Sequence, residues 1–182
     1  MSEKYKFHNP DGVYFITSTI SEWADLFTKV VYCEIIRDSL IYCQKNKGLV
    51  IHAWCLMSNH LHLIISRNGN SLLHEIMRDF KRHTSIKFVN TIQNDNESRK
   101  KWLLEIFKTS ASKVKRVGNY KVWQDGNHPI ELDTNNLIEQ KLNYIHENPV
   151  KSGYVWEAEH YVNSSATDYA GGKGLLEIDF LD

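Results

Sequence analysis

Two histidines, His60 and His62, stand two residues apart in an apolar segment of this sequence. Successive side chains of a β-strand point to opposite faces, so a strand here would project both imidazoles to one side. Neutral imidazole is the commonest side-chain ligand of protein-bound metals. The pair predicts half of a metal site, but it is a weak signal alone, because structural histidines are common and the chain contains nine.

A helix near the C-terminus offers a further ligand and a nucleophile. Tyr144 and Asn148 are four residues apart, so on a helix they lie only about 40° apart on one face, whereas His146 lies roughly 160° from Tyr144. A tyrosine hydroxyl with a pKa of about 10 is a poor nucleophile at neutral pH, and a metal that polarises a phosphate would assist it. The alternative is a half-buried helix aromatic and a polar residue before Pro149.

The elements that position these residues follow from turn signals and apolar periodicity. The expected hairpin carries the two histidines at the start of its second strand. In the first part of the chain we expect a strand over Val13–Ile20, a helix from a cap at Thr28 to about Lys45, and two strands within Leu49–Ser66 joined at 57–59.

For the second part of the chain, the sequence predicts mainly helices. They are expected over Ser71–Val89, over Arg99–Arg116, and from a cap at Thr134 or Asn135 to about Asn148, with short extended pieces at 120–124 and 128–132. The absence of repeats favours a single domain over 1–182, with a core at about 11–172 and a helical insertion at about 97–117. The element order predicts an α+β fold, an antiparallel ferredoxin-like sheet with helices packed on it.

Composition limits the class of protein. The chain has 182 residues, 42% of them apolar and 24% charged, which is typical of a globular protein. Its formal net charge is zero, so any contact with nucleic acid must come from local clusters of Lys and Arg. Three cysteines without CxxC spacing indicate buried thiols in a reducing compartment. The polar N-terminus and the lack of about 20 consecutive apolar residues predict a cytoplasmic protein without a membrane partner.

Two segments resemble a known family. Residues 52–64, HAWCLMSNHLHLI, look like the signature of HUH single-tyrosine transposases. Residues 144–153, YIHENPVKSG, resemble the second signature of the branch of REP-associated tyrosine transposases, which is IS200-like. Trp123-Gln124 and the segment 164–169 also match, so the resemblance covers about residues 11–172.

The resemblance implies an RRM-like HUH fold and a residue-by-residue assignment. His60, His62 and Asn148 would bind Mg²⁺ or Mn²⁺, and Tyr144 would attack a phosphodiester of single-stranded, hairpin-forming DNA. The products would be a 5′-phosphotyrosine intermediate and a free 3′-hydroxyl, and reversal would rejoin strands. The resemblance also implies that the protein acts either as a monomer or as a homodimer.

Candidate DNA contacts come from basic helices and an aromatic residue. Phosphate binding by the basic residues would make affinity fall with salt. Trp123 and Trp156 could stack on unpaired bases or pack in the core. The candidates are Arg78, Lys81, Arg82, Lys113, Lys115, Arg116 and Trp123.

Three other functions compete with a transferase. The first is a domesticated hairpin-binding module without catalysis, against which the presence of both motifs argues. The second is a histidine-triad nucleotide hydrolase, but position 64, where its third histidine should stand, is Ile64. The third is a cupin-like metalloenzyme, whose many-stranded roll does not fit the predicted helices.

Overall fold

The computed structural model describes residues 7–114 and 118–181. No helix within these two ranges is long and apolar enough to span a membrane. Two short 3-10 turns, Ser21–Trp23 and Ala158–His160, accompany the regular elements. In chain order these are β1 (Tyr14–Thr19), α1 (Val30–Lys47), β2 (Leu49–Leu56), β3 (His60–Arg67), α2 (Leu73–Asn94), α3 (Lys100–Ser112), β4 (Ile130–Glu131), α4 (Asn135–Lys151) and α5 (Ala166–Tyr169).

The four strands form one antiparallel sheet in the order β2-β3-β1-β4. This confirms the predicted α+β fold with an antiparallel sheet. The β2–β3 hairpin turns at residues 57–59, as the apolar runs on both sides indicate. In the register of β1 against β3, Thr17 lies opposite His62 and Thr19 lies opposite His60.

The two faces of the sheet carry two cores of different size. On one face, α1 and α2 cover a large core that contains Leu61, Leu63 and other alternate residues of the strands. On the opposite face, α4 covers a smaller core in which Ile145 packs with Phe15 and Ile64. The alternation of side chains along β3 therefore sends its leucines to the large core and its histidines towards α4.

The predicted insertion forms the helix α3, whose apolar side joins the larger core. Leu103 and Phe107 are fully buried there. The hydrophobic residues of this helix are thus part of the fold, and its basic residues occupy the remaining sides.

A buried carboxylate fixes the start of this helical segment. The Glu97 side chain is only 1% exposed and lies 3.0 Å from Lys29 Nζ. It also accepts hydrogen bonds from the Tyr32 hydroxyl and from the Arg99 backbone, each at 2.9 Å. Burial by itself would raise the pKa of Glu97, but the hydrogen bonds from Arg99, Lys29 and Tyr32 outweigh it and lower the pKa to about 2.

The segment after α4 returns along the outer edge of β2. Backbone hydrogen bonds join the two at three places, with Asn163, Ser165 and Asp179 as the residues of the returning segment. The bonds run from Leu56 N to Asn163 O at 2.9 Å, from Ser165 N to Trp54 O at 3.0 Å and from Asp179 N to Ile51 O at 3.0 Å.

The cysteines lie inside the molecule. All three, Cys33, Cys43 and Cys55, are buried and free. Burial raises the pKa of each thiol. Each cysteine therefore stays protonated, which is its unreactive form, at neutral pH. The sequence-based expectation that the three thiols are buried is confirmed.

Helix α4 continues past its proline. The predicted end near Asn148 is wrong, since the helix includes Pro149 and runs to Lys151. Proline removes one backbone donor and disfavours helix at the residue before it, but here it stands in the last turn. Ser152 N donates to Asn148 O at 3.0 Å and closes that turn.

Other element ends moved for reasons of packing. Helix α2 continues beyond the predicted Val89 to Asn94, because Ile92 reaches the large core. Thr134 caps α4 as predicted, with its hydroxyl accepting from Leu137 N at 3.4 Å. The predicted cap at Thr28 is wrong, because α1 begins after Lys29.

Candidate active site

The sheet face under α4 brings the four predicted chemical residues together. His60 and His62 project from β3 with their ring centroids 4.6 Å apart. Tyr144 stands on α4 above them, and its ring centroid lies 5.2 Å from that of His62. Asn148 Nδ2 lies 3.3 Å from His62 Nε2. The one-turn spacing of Tyr144 and Asn148 thus puts both against the same histidine.

Each histidine uses its Nδ1 atom for a contact within the protein. His60 Nδ1 lies 2.7 Å from Asn59 Oδ1, a carbonyl oxygen, which requires His60 Nδ1 to carry the proton. His62 Nδ1 lies 2.8 Å from the hydroxyl of Thr17 on β1. These contacts leave the Nε2 atoms for other partners, and that of His62 lies against Asn148 on α4, an arrangement typical of metal-binding histidines.

Both imidazoles are held neutral. Burial, with smaller contributions from His60 and Lys141, lowers the pKa of His62 to about 3. Burial also lowers the pKa of His60. A neutral imidazole keeps a lone pair on the nitrogen that lacks the proton. At neutral pH the pair can therefore donate two nitrogen ligands without first losing protons.

The residues present fit a divalent cation. The described residues contain no group of three or more His, Cys, Asp or Glu side chains placed to hold a metal. A third protein ligand is offered by the Asn148 amide, 3.3 Å from His62 Nε2, whose oxygen and nitrogen exchange places by a half-turn of the side chain. Two imidazole nitrogens and one amide oxygen leave positions for phosphate and water.

Tyr144 is presented to solvent between aromatic and basic neighbours. Its side chain is 45% exposed, and its ring meets Phe15 edge to face at 5.9 Å. Lys141 Nζ lies 5.0 Å from the Phe15 ring centroid and 5.7 Å from that of Tyr144. The half-exposed Tyr144 ring thus has a positive charge near its face.

His146 lies outside this site, as its helical position predicts. Its Nε2 is 2.9 Å from the Ser165 hydroxyl, and its ring packs on Tyr169 at 5.0 Å. Burial lowers the pKa of His146 to about 4. His146 therefore links α4 to the segment that follows this helix.

The loop after β1 supports His60 from the side. The Asp25 carboxylate accepts from the Ser58 hydroxyl at 2.6 Å and from Asn59 Nδ2 at 3.0 Å. Asn59 Nδ2 also lies 3.2 Å from Trp23 O. These bonds orient the Asn59 amide so that its oxygen faces His60, which fixes the tautomer and direction of the imidazole.

The basic residues of α2 proposed for DNA contact differ in availability. Arg82 is exposed, and Arg78 is exposed but bonded to Asp79 at 3.1 Å. Lys81 donates to Gly126 O at 2.6 Å, and burial lowers the pKa of Lys81 to about 8. The amine of Lys81 therefore already serves an internal contact, and its role in phosphate binding stays a prediction.

Trp123 is part of the large core. It is 5% exposed, its Nε1 donates to the Thr84 hydroxyl at 2.9 Å, and it packs near Phe27 and Phe88. The suggestion that Trp123 stacks on unpaired bases is therefore wrong, and the core-packing alternative is right. Trp156, by contrast, is 96% exposed.

The third group of basic candidates lies at the end of α3. Lys113 forms an exposed ion pair with Glu22 at 2.8 Å, next to the loop that supports His60. The candidates Lys115 and Arg116 lie outside the described residues.

Sequence reasoning missed several neighbours of the site. Thr17 and Phe15 come from β1, and Asp25 from the loop after it, all far from the histidines in sequence. Only pairing of β1 with β3 places them there. Lys141 had a local signal, because it lies three residues before Tyr144 and hence on nearly the same face of a helix.

Comparison with known proteins gives a family and a fold. The family model described as "Transposase IS200 like" matches residues 19–120, more than half of the chain, and this range includes both histidines. A solved structure of a REP-associated tyrosine transposase bound to a REP hairpin is 21% identical, with a TM-score of 0.65, over 100% of this chain and 94% of that one. A search of curated proteins gave no match.

Proposed function

The chain belongs to the IS200-like transposase family, and we propose that it cleaves and rejoins single-stranded DNA through a covalent bond to Tyr144. Transposase-type processing of DNA follows from the family, whereas the nucleophile and the intermediate are our proposal. The observation that carries it is the placement of an exposed tyrosine against His62, with Asn148 3.3 Å from His62 Nε2.

The proposed reaction exchanges one phosphodiester for another. The Tyr144 oxygen attacks the phosphorus of a DNA phosphodiester, and a tyrosine–phosphorus bond forms while the bond to the 3′ oxygen breaks. The phenolic proton leaves to solvent, and the departing 3′ oxygen takes up a proton. The DNA stays attached through a 5′-phosphotyrosine, and attack by another 3′-hydroxyl reverses the steps, so no external energy source is required.

His60, His62 and Asn148 would hold Mg²⁺ or Mn²⁺, which when bound polarises the phosphate and offsets the charge that develops on it. Thr17 and Asn59 hold the two imidazoles in the orientation that this requires. Lys141, above the Phe15 ring, adds a positive charge that favours the phosphate beside Tyr144.

We propose hairpin-forming single-stranded DNA as the substrate. The structurally similar REP-associated transposase is bound to a REP hairpin, and its fold covers this whole chain. Among the candidates that the structure describes, the exposed Arg78 and Arg82 on α2 remain available for phosphate contact. The logarithm of the binding constant should fall linearly with the logarithm of the salt concentration. The slope should increase with the number of phosphates neutralised.

A covalent-adduct assay tests the proposal. The protein is mixed with Mn²⁺ or Mg²⁺ and labelled single-stranded oligonucleotides that tile the DNA flanking its own gene, and the products are separated on a denaturing gel. We expect a DNA-shifted protein band that requires metal and is lost in Tyr144→Phe and in His62→Ala. The matched control is Tyr154→Phe, since Tyr154 is similarly exposed at 47% and should keep the band.

Two results would contradict the transferase. Tight hairpin binding without an adduct or cleavage under either metal would favour a catalytically silent DNA-binding module. An adduct that persists in Tyr144→Phe would assign the nucleophile to another residue.

A further inference from the structure

A second concave site adjoins the candidate active site on the side of His60. It is a cleft of about 390 Å³ between the loop after β1, the end of α3 and the segment before β4. Its volume falls in the range of small-ligand sites. It is lined by Ser21, Glu22, Trp23, Ser110, Lys113, Lys121, Gln124 and Asp125.

Trp23 forms the wall between this cleft and the histidines. Its side chain is 59% exposed, and its ring meets His60 edge to face with the centroids 6.0 Å apart. A large aromatic side chain exposed to this degree contributes little to the core. Trp23 therefore presents a flat apolar surface directly beside His60, one of the proposed metal ligands.

The backbone that presents Trp23 has a costly conformation. Both Glu22 and Trp23 have φ of 54°, which is uncommon for residues other than glycine and persists only where the surroundings hold it. Here Lys113 holds Glu22, and Arg99 Nη1 donates to Asp25 O at 2.6 Å. The segment 97–113, whose role the sequence leaves open, thus braces the loop from both ends.

The charges of the cleft cancel within it. Lys113 is paired with Glu22 at 2.8 Å, and Lys121 is paired with Asp125 at 2.6 Å. A phosphate would have to compete with both carboxylates. A neutral, planar group with hydrogen-bonding edges suits this lining better, and nucleobases are groups of that kind.

A buried hydroxyl in the lining lacks a partner. Ser110 is 5% exposed, and its Oγ has no hydrogen-bond partner within the described part of the chain. Buried polar groups are nearly always satisfied, so such an exception calls for an explanation. The wall of the cleft therefore carries one unsatisfied polar group just beneath its surface.

We propose that this cleft binds one unpaired nucleobase of single-stranded DNA, stacked on Trp23, next to the phosphate that is cleaved. The inference rests on the proposed function and extends it to a substrate subsite. Stacking on an aromatic ring is the commonest way in which proteins hold unpaired bases. Because Trp23 touches His60, a base held there would fix the position of the neighbouring phosphate relative to Tyr144.

A double-mutant cycle between Trp23 and the DNA tests this subsite. Oligonucleotides that give the adduct are remade with an abasic position at each nucleotide around the cleavage point, and binding is measured for the wild type, Trp23→Ala and Trp23→Phe. We expect one abasic position to weaken wild-type binding about tenfold. Trp23→Ala should be about tenfold weaker on intact DNA and indifferent to that position, whereas Trp23→Phe should recover part of the loss.

The control variant is Trp102→Ala, since Trp102 is also exposed, at 49%, and does not line the cleft. It should respond to every abasic position as the wild type does. If Trp23→Ala loses as much at each abasic position as the wild type, the subsite is refuted while the adduct, and with it the proposed function, stands. If the wild type neither binds nor forms an adduct with any oligonucleotide, both proposals fall together.

Discussion

The two faces of the sheet are built from the same strands and differ in what covers them. On one face, α1, α2 and α3 enclose the large core, which includes Leu61 and Leu63 of β3. On the other face, α4 and the segment after it cover a small apolar cluster around Ile145. His60 and His62 lie at the margin of that cluster, where Tyr144 is exposed.

This division separates stability from chemistry along a single strand. Along β3, Leu61 and Leu63 stabilise the fold on one side, while His60 and His62 are available for catalysis on the other. A change at the exposed Tyr144 beside these histidines should therefore alter activity with little effect on unfolding. A change on the side of α1 and α2 should do the reverse.

The most complete loss is expected for Tyr144→Phe. The substitution removes one oxygen from a half-exposed side chain, so the free energy of unfolding should change by less than about 0.5 kcal/mol, while the covalent adduct disappears. Urea unfolding and the denaturing gel measure the two effects on the same preparation. A large loss of stability would instead show that Tyr144 supports the fold. The two faces of the sheet would then not differ in the way described above.

The opposite pattern is expected for Phe88→Ala. Phe88 is fully buried on α2 between Phe27, Tyr32 and Trp123, and its truncation should cost about 3–5 kcal/mol of unfolding free energy. Folded protein that remains should still form the adduct. Ile86→Ala, on the exposed side of the same helix at 55% exposure, is the control and should be near neutral in denaturant unfolding.

Acid should lower the free energy of unfolding through protonation of Glu97. Its pKa is about 2 in the folded protein against an ordinary value near 4.5, so its stabilising contribution is present above pH 4.5 and is lost as pH falls towards 2. The loss should be on the order of 3 kcal/mol. Unfolding free energies measured across this pH window should fall for the wild type.

The matched variant for this acid effect is Glu97→Gln. It cannot titrate at this position, so it should be less stable at neutral pH and should show a shallower decline below pH 4.5. An identical pH profile for the two proteins would assign the acid sensitivity to other carboxylates.

The smallest effect is expected for Asn59→Ala. Loss of the amide that accepts from His60 Nδ1 should weaken binding of Mn²⁺ roughly 10- to 100-fold, as removal of such supporting groups typically does. Titration calorimetry with Mn²⁺ alone measures it. Asn46→Ala, whose amide donates to Tyr42 O within α1, should bind like the wild type. Equal affinity for Asn59→Ala would refute the supporting role.

Local patterns in the sequence were sufficient for the fold and for the placement of the four chemical residues. The alternation in β3 put His60 and His62 on one face, and the helical spacing put Tyr144 and Asn148 on another. The expectation that these two faces meet depended on the fold class, and in the folded chain they do meet. The roles assigned to these residues stay predictions.

Contacts between distant segments could not be predicted in this way. Trp123 carries no periodic signal that distinguishes a core residue from a surface platform, and only the packing of α2 decides between them. Lys81 looks like a surface cation in the sequence, yet its hydrogen bond to Gly126 depends on where the segment before β4 passes. Asp25 and Trp23 reach the histidines because β1 ends beside the hairpin turn.

The C-terminal segment along β2 has a consequence for assembly. An exposed edge strand invites pairing with a second chain, and β2 is a long edge of this sheet. Here Asn163, Ser165 and Asp179 already occupy backbone positions along that edge. Two copies could join their sheets through β2 only after this segment had been displaced. Sheet extension at this edge is therefore coupled to local unfolding of the chain's own terminus.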